Sequence, residues 1–245
     1  MACGEKGAKS GAAWCRGGAE REEARRGGAG ASRRHADISS LDELLAADAA
    51  LDLEVAGRAL DPGDWPRRCS AGAHEPTPTP YFIARRLLEA LDLDDGSHLL
   101  DVGCGTGRVL ACHAWAQLPG KATGVELDGE LAAIASSWSA RYDGLAVLEG
   151  SAIEIPLAPY THFYLFNPFD NAVLLQFLDR LEDQALGPVT LAHMSDNGES
   201  YSYMGRPGWT LLQEGSFHTY PVGAAHGFEV YGCPQHYSVW RYRPA

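Results

Sequence analysis

The stretch HLLDVGCGTGRV, residues 98–109, restricts the fold more than any other part of this chain. A short apolar run ends at Val102, and glycines follow at 103, 105 and 107. Glycine weakens both strands and helices, so three at alternate positions behind a strand need a physical reason. Either the backbone takes positive φ there, or another group must approach it closely. A strand that turns through such a loop into a helix also presents free N–H groups. Open α/β sheets hold ligands in this way, at the carboxyl ends of their strands.

The rest of the chain keeps that alternation. Strand-like runs at 97–102, 121–126, 145–149, 161–166 and 188–193 alternate with helical patterns at about 107–118, 129–141 and 171–183. Short strands separated by helices predict an α/β fold, a Rossmann-like doubly wound and mostly parallel sheet. Two further runs, WTLLQEG at 209–215 and HYSVWRYR at 236–243, have no helix of ordinary length between them. They predict an antiparallel C-terminal end to the sheet. Upstream, Ser39 or Ser40 caps an accessory helix, a Pro/Gly-rich loop fills 61–80, and a helix follows at about 80–91. Residues 1–38 are Gly, Ala and Arg with almost no bulky apolar side chains. Such a segment buries too little to offset its ordering entropy and reads as a disordered tail. The expected organisation is that tail, N-terminal helices and Pro-rich loop at 39–92, and a main domain at 93–245.

Composition narrows the function. No apolar run approaches the roughly 20 residues of a membrane span. The six cysteines are scattered without a CxxC pair. That pattern argues against a metal site and a disulfide framework and for reduced thiols, hence a cytoplasmic protein. The Arg-rich tail is like an organelle transit peptide, but Glu5, Glu20, Glu22 and Glu23 oppose that reading. Residues 1–40 hold eight Lys and Arg against five acids, and the remainder twelve against 27. So acidic a body repels phosphate backbones, which argues against a nucleic-acid partner.

The glycine spacing selects among nucleotide-type ligands. The dinucleotide fingerprint is G-x-G-x-x-G, whereas Gly103 to Gly107 reads G-x-G-x-G. The phosphate-binding G-x-x-x-x-G-K-[ST] is absent from the sequence. Asp101 stands at the start of the loop, and a buried carboxylate suits a ligand with a positive end. S-adenosylmethionine has an ammonium, a sulfonium, a ribose and an adenine, and no phosphate. Glu126, in GVELD at the end of the second strand and 19 residues beyond Gly107, is placed to accept ribose hydroxyls. Ser151 and Ala152, after the third strand, come beside the adenine.

LLDVGCGTGR, GVELD, EGSA and YLFNPFD fall in the order and spacing of the class I S-adenosylmethionine-dependent methyltransferases. Over roughly residues 75–195 the chain resembles that family. EPTPTPYFIARRLLEAL further resembles a poorly characterised group with NPF after strand four. The resemblance implies that Asp101 helps hold the cofactor's amino-acid end. It implies that Gly103, Gly105 and Gly107 let the backbone pass beneath it, that Glu126 binds the ribose and that Leu127 packs on the adenine. Ser151 stands where many relatives have an acid facing the adenine amino group. Tyr81, in the helix before the sheet, covers the cofactor in this reading.

Asn167, Pro168 and Phe169 resemble the N-P-P-[YF] motif of methyltransferases acting on planar amino nitrogens, with the second Pro missing. There the Asn oxygen and Pro carbonyl accept the target's N–H bonds and the aromatic ring stacks on it, and Asn167 also adjoins the cofactor. The alternative is a strand-end turn with Phe169 in the core. His193 is the candidate general base. Tyr201, Tyr203 and Trp209 are candidates for an aromatic wall. The sequence therefore points to in-line methyl transfer to an unidentified acceptor, protein side chain or small molecule, with nitrogen slightly favoured and oxygen open. A non-catalytic cofactor-binding scaffold or partner subunit is the alternative, and a nicotinamide oxidoreductase is disfavoured by the glycine spacing.

Overall fold

Ser40 starts helix α1 (Leu41–Ala56) by accepting the Glu43 N–H, and Gly57, at φ 71°, ends it. Beyond it come α2 (Tyr81–Ala90), β1 (His98–Val102), α3 (Arg108–Trp115), β2 (Lys121–Glu126), α4 (Gly129–Ser139) and β3 (Leu145–Glu149). They are followed by β4 (His162–Phe166), α5 (Asn171–Gln184), β5 (Val189–Ser195), β6 (Trp209–Phe217) and β7 (Gln235–Tyr242). The computed structural model describes residues 38–61, 72–195, 202–221 and 227–244. The expected tail, up to residue 37, lies outside them. Residues 39–245 form one compact unit. Among the described residues no helix is long and apolar enough to cross a membrane.

The seven strands form one sheet in the order β3-β2-β1-β4-β5-β7-β6. The first five are parallel, whereas β7 pairs antiparallel with both β5 and β6. Each expected strand and helix is present, most with ends within two residues of the expected ones. The chain runs outward from β1 to β3 and then returns to β4 on the other side of β1. That reversal opens a crevice at the carboxyl ends of β1 and β4.

Period-two alternation divides the core between the two faces of the sheet. Leu99, Tyr164, Ala192 and Met194 pack with α2, α3 and Trp138 of α4. Leu100, Val102, Phe163, Leu165 and Leu191 pack with Phe177 and Leu178 of α5. A residue's parity along its strand therefore decides which layer it joins.

Candidate functional site

The glycine loop is held from β2. The N–H groups of Gly103 and Cys104 donate to the Val125 carbonyl at 2.9 and 3.1 Å. The Gly105 N–H donates to Glu126 Oε2 at 2.8 Å. Gly105 has φ 55°, and a Cβ there would meet nothing nearer than Pro76 at 3.9 Å, so its open side faces the crevice. Gly107 has another reason. At φ 94° it precedes α3, and a Cβ would come 2.8 Å from Trp138. One glycine leaves room for a ligand, and the other lets two helices meet.

A crevice of about 440 Å³ opens beside this loop, lined by Asp101, the three glycines, Glu126, Leu127, Ser151, Ala152 and the Asn167–Phe169 turn. Asp101 is 3% exposed, and its Oδ2 has no hydrogen-bond partner. Burial, and then the neighbouring Glu126 charge, push its pKa up to about 8. A buried carboxylate without a partner at the mouth of a glycine loop fits a cationic ligand group. Glu126 accepts from Gly105 at Oε2 and from the Asp128 N–H at Oε1 (2.9 Å), which orients it and leaves lone pairs on both oxygens. Burial raises its pKa, opposed by those backbone hydrogen bonds. Leu127 is about half exposed at the rim, and Ser151 and Ala152 are half-buried. These residues fit S-adenosylmethionine: a carboxylate for the ammonium, open backbone under the methionine end, an oriented acid for the ribose and an apolar rim for the adenine.

Carboxylates dominate the charged part of the lining. Glu75, Asp101, Glu126 and Asp128 face one guanidinium, Arg108, and no lysine among the described lining residues. Arg108 is already engaged: it donates to both oxygens of Asp52, at 3.1 and 2.6 Å, and lies 3.9 Å from Asp48. Burial, against the pull of Arg108, lifts Asp48 to about 7. The accessory helix α1 thus anchors the residue that follows Gly107. Asp48 and Asp52 gave no sequence signal beyond sitting four apart on that helix.

The acceptor end differs from its sequence reading at several points. Residues 72–74 run antiparallel along the Asn167–Phe169 turn. The His74 N–H donates to the Pro168 carbonyl (3.1 Å), the Asp170 N–H to Gly72 (2.8 Å), and Ala73 bridges Phe169. The Pro168 carbonyl expected to meet the target nitrogen already has a donor. Phe169 is 8% exposed and packs against Phe177, so its ring belongs to the core, as the alternative reading held. Phe166 also lines the crevice, edge-on to Tyr231. The signal was its parity with Tyr164 and Asp101. Asn167 keeps its expected place at φ 42°, a left-handed conformation that Asn tolerates, and its buried Oδ1 has no partner.

Two further expectations are corrected. His193 shares the parity of Leu191, so it points to the α5 layer. It is 3% exposed, its Nδ1 lies 3.0 Å from the Tyr203 hydroxyl, and it does not line the crevice. Tyr81 is fully buried, edge-on to Trp115 and beneath Arg108, and also does not line the crevice. The first turn of α2 sends it inward to the helix layer. The aromatic wall is likewise core: Tyr203 stacks on Trp240 and meets Trp209, each 5.1 Å away, while Tyr201 lies outside the described residues.

Residues 68–149, about a third of the chain, match the family model for protein-L-isoaspartate(D-aspartate) O-methyltransferase. No curated protein matches the chain. Among solved structures it is similar to a proposed methyltransferase of Escherichia coli, yhhF, at 18% identity and TM-score 0.52, over 71% of this chain and 91% of that one. It is similar to TrmN of Thermus thermophilus at 15% identity and TM-score 0.53, over 68% and 50%. A proposed RNA methyltransferase of Pyrococcus horikoshii is 16% identical with TM-score 0.50, over 71% and 93%. The chain has the class I S-adenosylmethionine-dependent methyltransferase fold.

Proposed function

We propose that this chain is a methyltransferase that uses S-adenosylmethionine and acts on a neutral nitrogen of an acceptor that is uncharged or carries cationic groups elsewhere. The observation that carries the acceptor is Asn167: an unpartnered, buried side-chain oxygen at the catalytic edge, beside a crevice rich in carboxylates. An N–H donor satisfies that oxygen, and a phosphate-rich acceptor meets like charge.

When bound, the cofactor supplies a methyl group activated on a sulfonium. Asp101 holds its ammonium and Glu126 its ribose, while Gly105 leaves the backbone open beneath it. Asn167 Oδ1 accepts an N–H of the acceptor and turns the nitrogen lone pair toward the methyl group. Phe166 lies against the acceptor and displaces water. Alignment and exclusion of water supply most of the acceleration, since the leaving group needs no protein activation.

An oxygen acceptor is the second reading, favoured by the O-methyltransferase family model. That match ends at Glu149, before β4 and the Asn167 turn, so it concerns the cofactor half. The experiment begins with calorimetric titration of S-adenosylmethionine into wild type and Glu126→Ala. Labelled cofactor is then offered with poly-lysine and other basic peptides, small amines, an isoaspartyl peptide and RNA. Saturable binding that Glu126→Ala weakens, with alkali-stable label on an amine or basic peptide, is expected. Alkali-labile label on the isoaspartyl peptide supports the oxygen reading, and label on RNA overturns the acceptor class. Binding without transfer to any probe leaves a cofactor-binding scaffold.

A further inference from the structure

His74 lines the crevice in the strap that crosses the Asn167 turn, and nothing in the motif reading singled it out. Its backbone is pinned by its N–H bond to Pro168, and its ring Nδ1 lies 2.9 Å from the Asn167 carbonyl oxygen. A carbonyl only accepts hydrogen bonds. Nδ1 must therefore carry the proton, and in the neutral ring Nε2 is left with a bare lone pair. The same contact places the imidazole next to the residue whose Oδ1 awaits an N–H donor. Glu75 follows His74 in the chain, Asp101, Glu126 and Asp128 line the same crevice, and Asp170 ends the turn. All are acids.

We infer that His74 Nε2 takes the proton released by the acceptor nitrogen, in the base role that His193, facing the other layer, does not fill. The inference rests on the methyltransferase reading above. In the step, a bond forms between the acceptor nitrogen and the methyl carbon. The carbon–sulfur bond breaks with its electron pair staying on sulfur. The proton leaves the nitrogen for Nε2, giving an imidazolium that returns it to water through the open crevice. Atoms and charge balance with no further reactant.

The first test needs no turnover. Two-bond ¹⁵N–¹H correlation spectra of the ring, assigned by loss of the signal in His74→Gln, report which nitrogen is protonated. A protonated Nδ1 and bare Nε2 are expected, and the opposite tautomer overturns the inference. The second test uses whichever probe wild type methylates. His74→Ala is expected to lower kcat about 100-fold, the lower end for general base catalysis. Its affinity for S-adenosylmethionine stays unchanged, and it loses the rise in rate with pH that accompanies imidazole deprotonation. Added imidazole restores rate to His74→Ala, which a merely structural role would not allow. Wild-type rate and pH profile in His74→Ala overturn the inference while leaving the methyltransferase reading intact. So does transfer only to a carboxylate, which has no proton to lose. A wild type that binds cofactor but methylates no probe removes the reading itself, and the inference with it.

Discussion

The two halves of the crevice are built differently. The half proposed for the cofactor comes from two adjacent strands of one βαβ unit: a strand, its glycine loop and one acid at the end of the next strand, joined by the Gly105–Glu126 hydrogen bond. The half proposed for the acceptor comes from segments almost a hundred residues apart, with residues 72–74 lying along the turn at 167–170. A local motif carries its own geometry, because the loop's positive φ angles and one strand pairing suffice to form it. A crossing of distant segments depends on the packing of everything between them.

The largest expected effect tests how far the cofactor half depends on its local motif. Gly107→Val combines a left-handed β-branched residue with a Cβ 2.8 Å from Trp138. It should cost about 2–5 kcal/mol of stability, read from denaturant unfolding. Glu126→Ala comes next. Losing about 1.5 kcal/mol from each of two charge-assisted hydrogen bonds should weaken S-adenosylmethionine about 100-fold by calorimetry, with the fold retained by circular dichroism.

Asp101→Asn sharpens the comparison, because it should separate binding from stability. Replacing a charge-assisted bond by a neutral one weakens the cofactor about tenfold. The sign for stability is opposite. The folded pKa of Asp101, about 8, lies above the ordinary carboxylate value. Wild-type apoprotein should therefore lose stability as pH rises from about 4 through the folded value, because burying the ionised form is unfavourable. The variant should lack that loss and be the more stable at pH 8, as thermal unfolding across the range would show. The smallest effect is expected from His193→Gln. It should cost about 1–2 kcal/mol through the Tyr203 hydrogen bond and leave methyl transfer per folded molecule unchanged. A selective loss of kcat in this variant would return His193 to the acceptor half and break the contrast.

The strands, the helices and the residues that line the crevice at the glycine loop were legible because each rests on local chemistry. Gly105, Asp101 and Glu126 sit where their motif places them. The errors share one cause. Phe169 and Tyr81 were placed by family resemblance and His193 by its position at a strand's end, yet what decided each was the layer its side chain enters. Parity along β5 was available and puts His193 with Leu191. Parity along β4 would have found Phe166. His74 carried no such signal, being one histidine in a Pro-rich loop.

The sequence alone determined the element order, the parallel sheet with its antiparallel end, and the acids beside the glycine loop. Periodicity, glycine conformation and fixed motif spacing are properties of neighbouring residues. Only the tertiary structure decided that Pro168 bonds to His74, that Arg108 is engaged by α1 and that Asn167 is left with an unmet oxygen. Those facts depend on which distant segments meet, and that is settled when both faces of the sheet are covered at once.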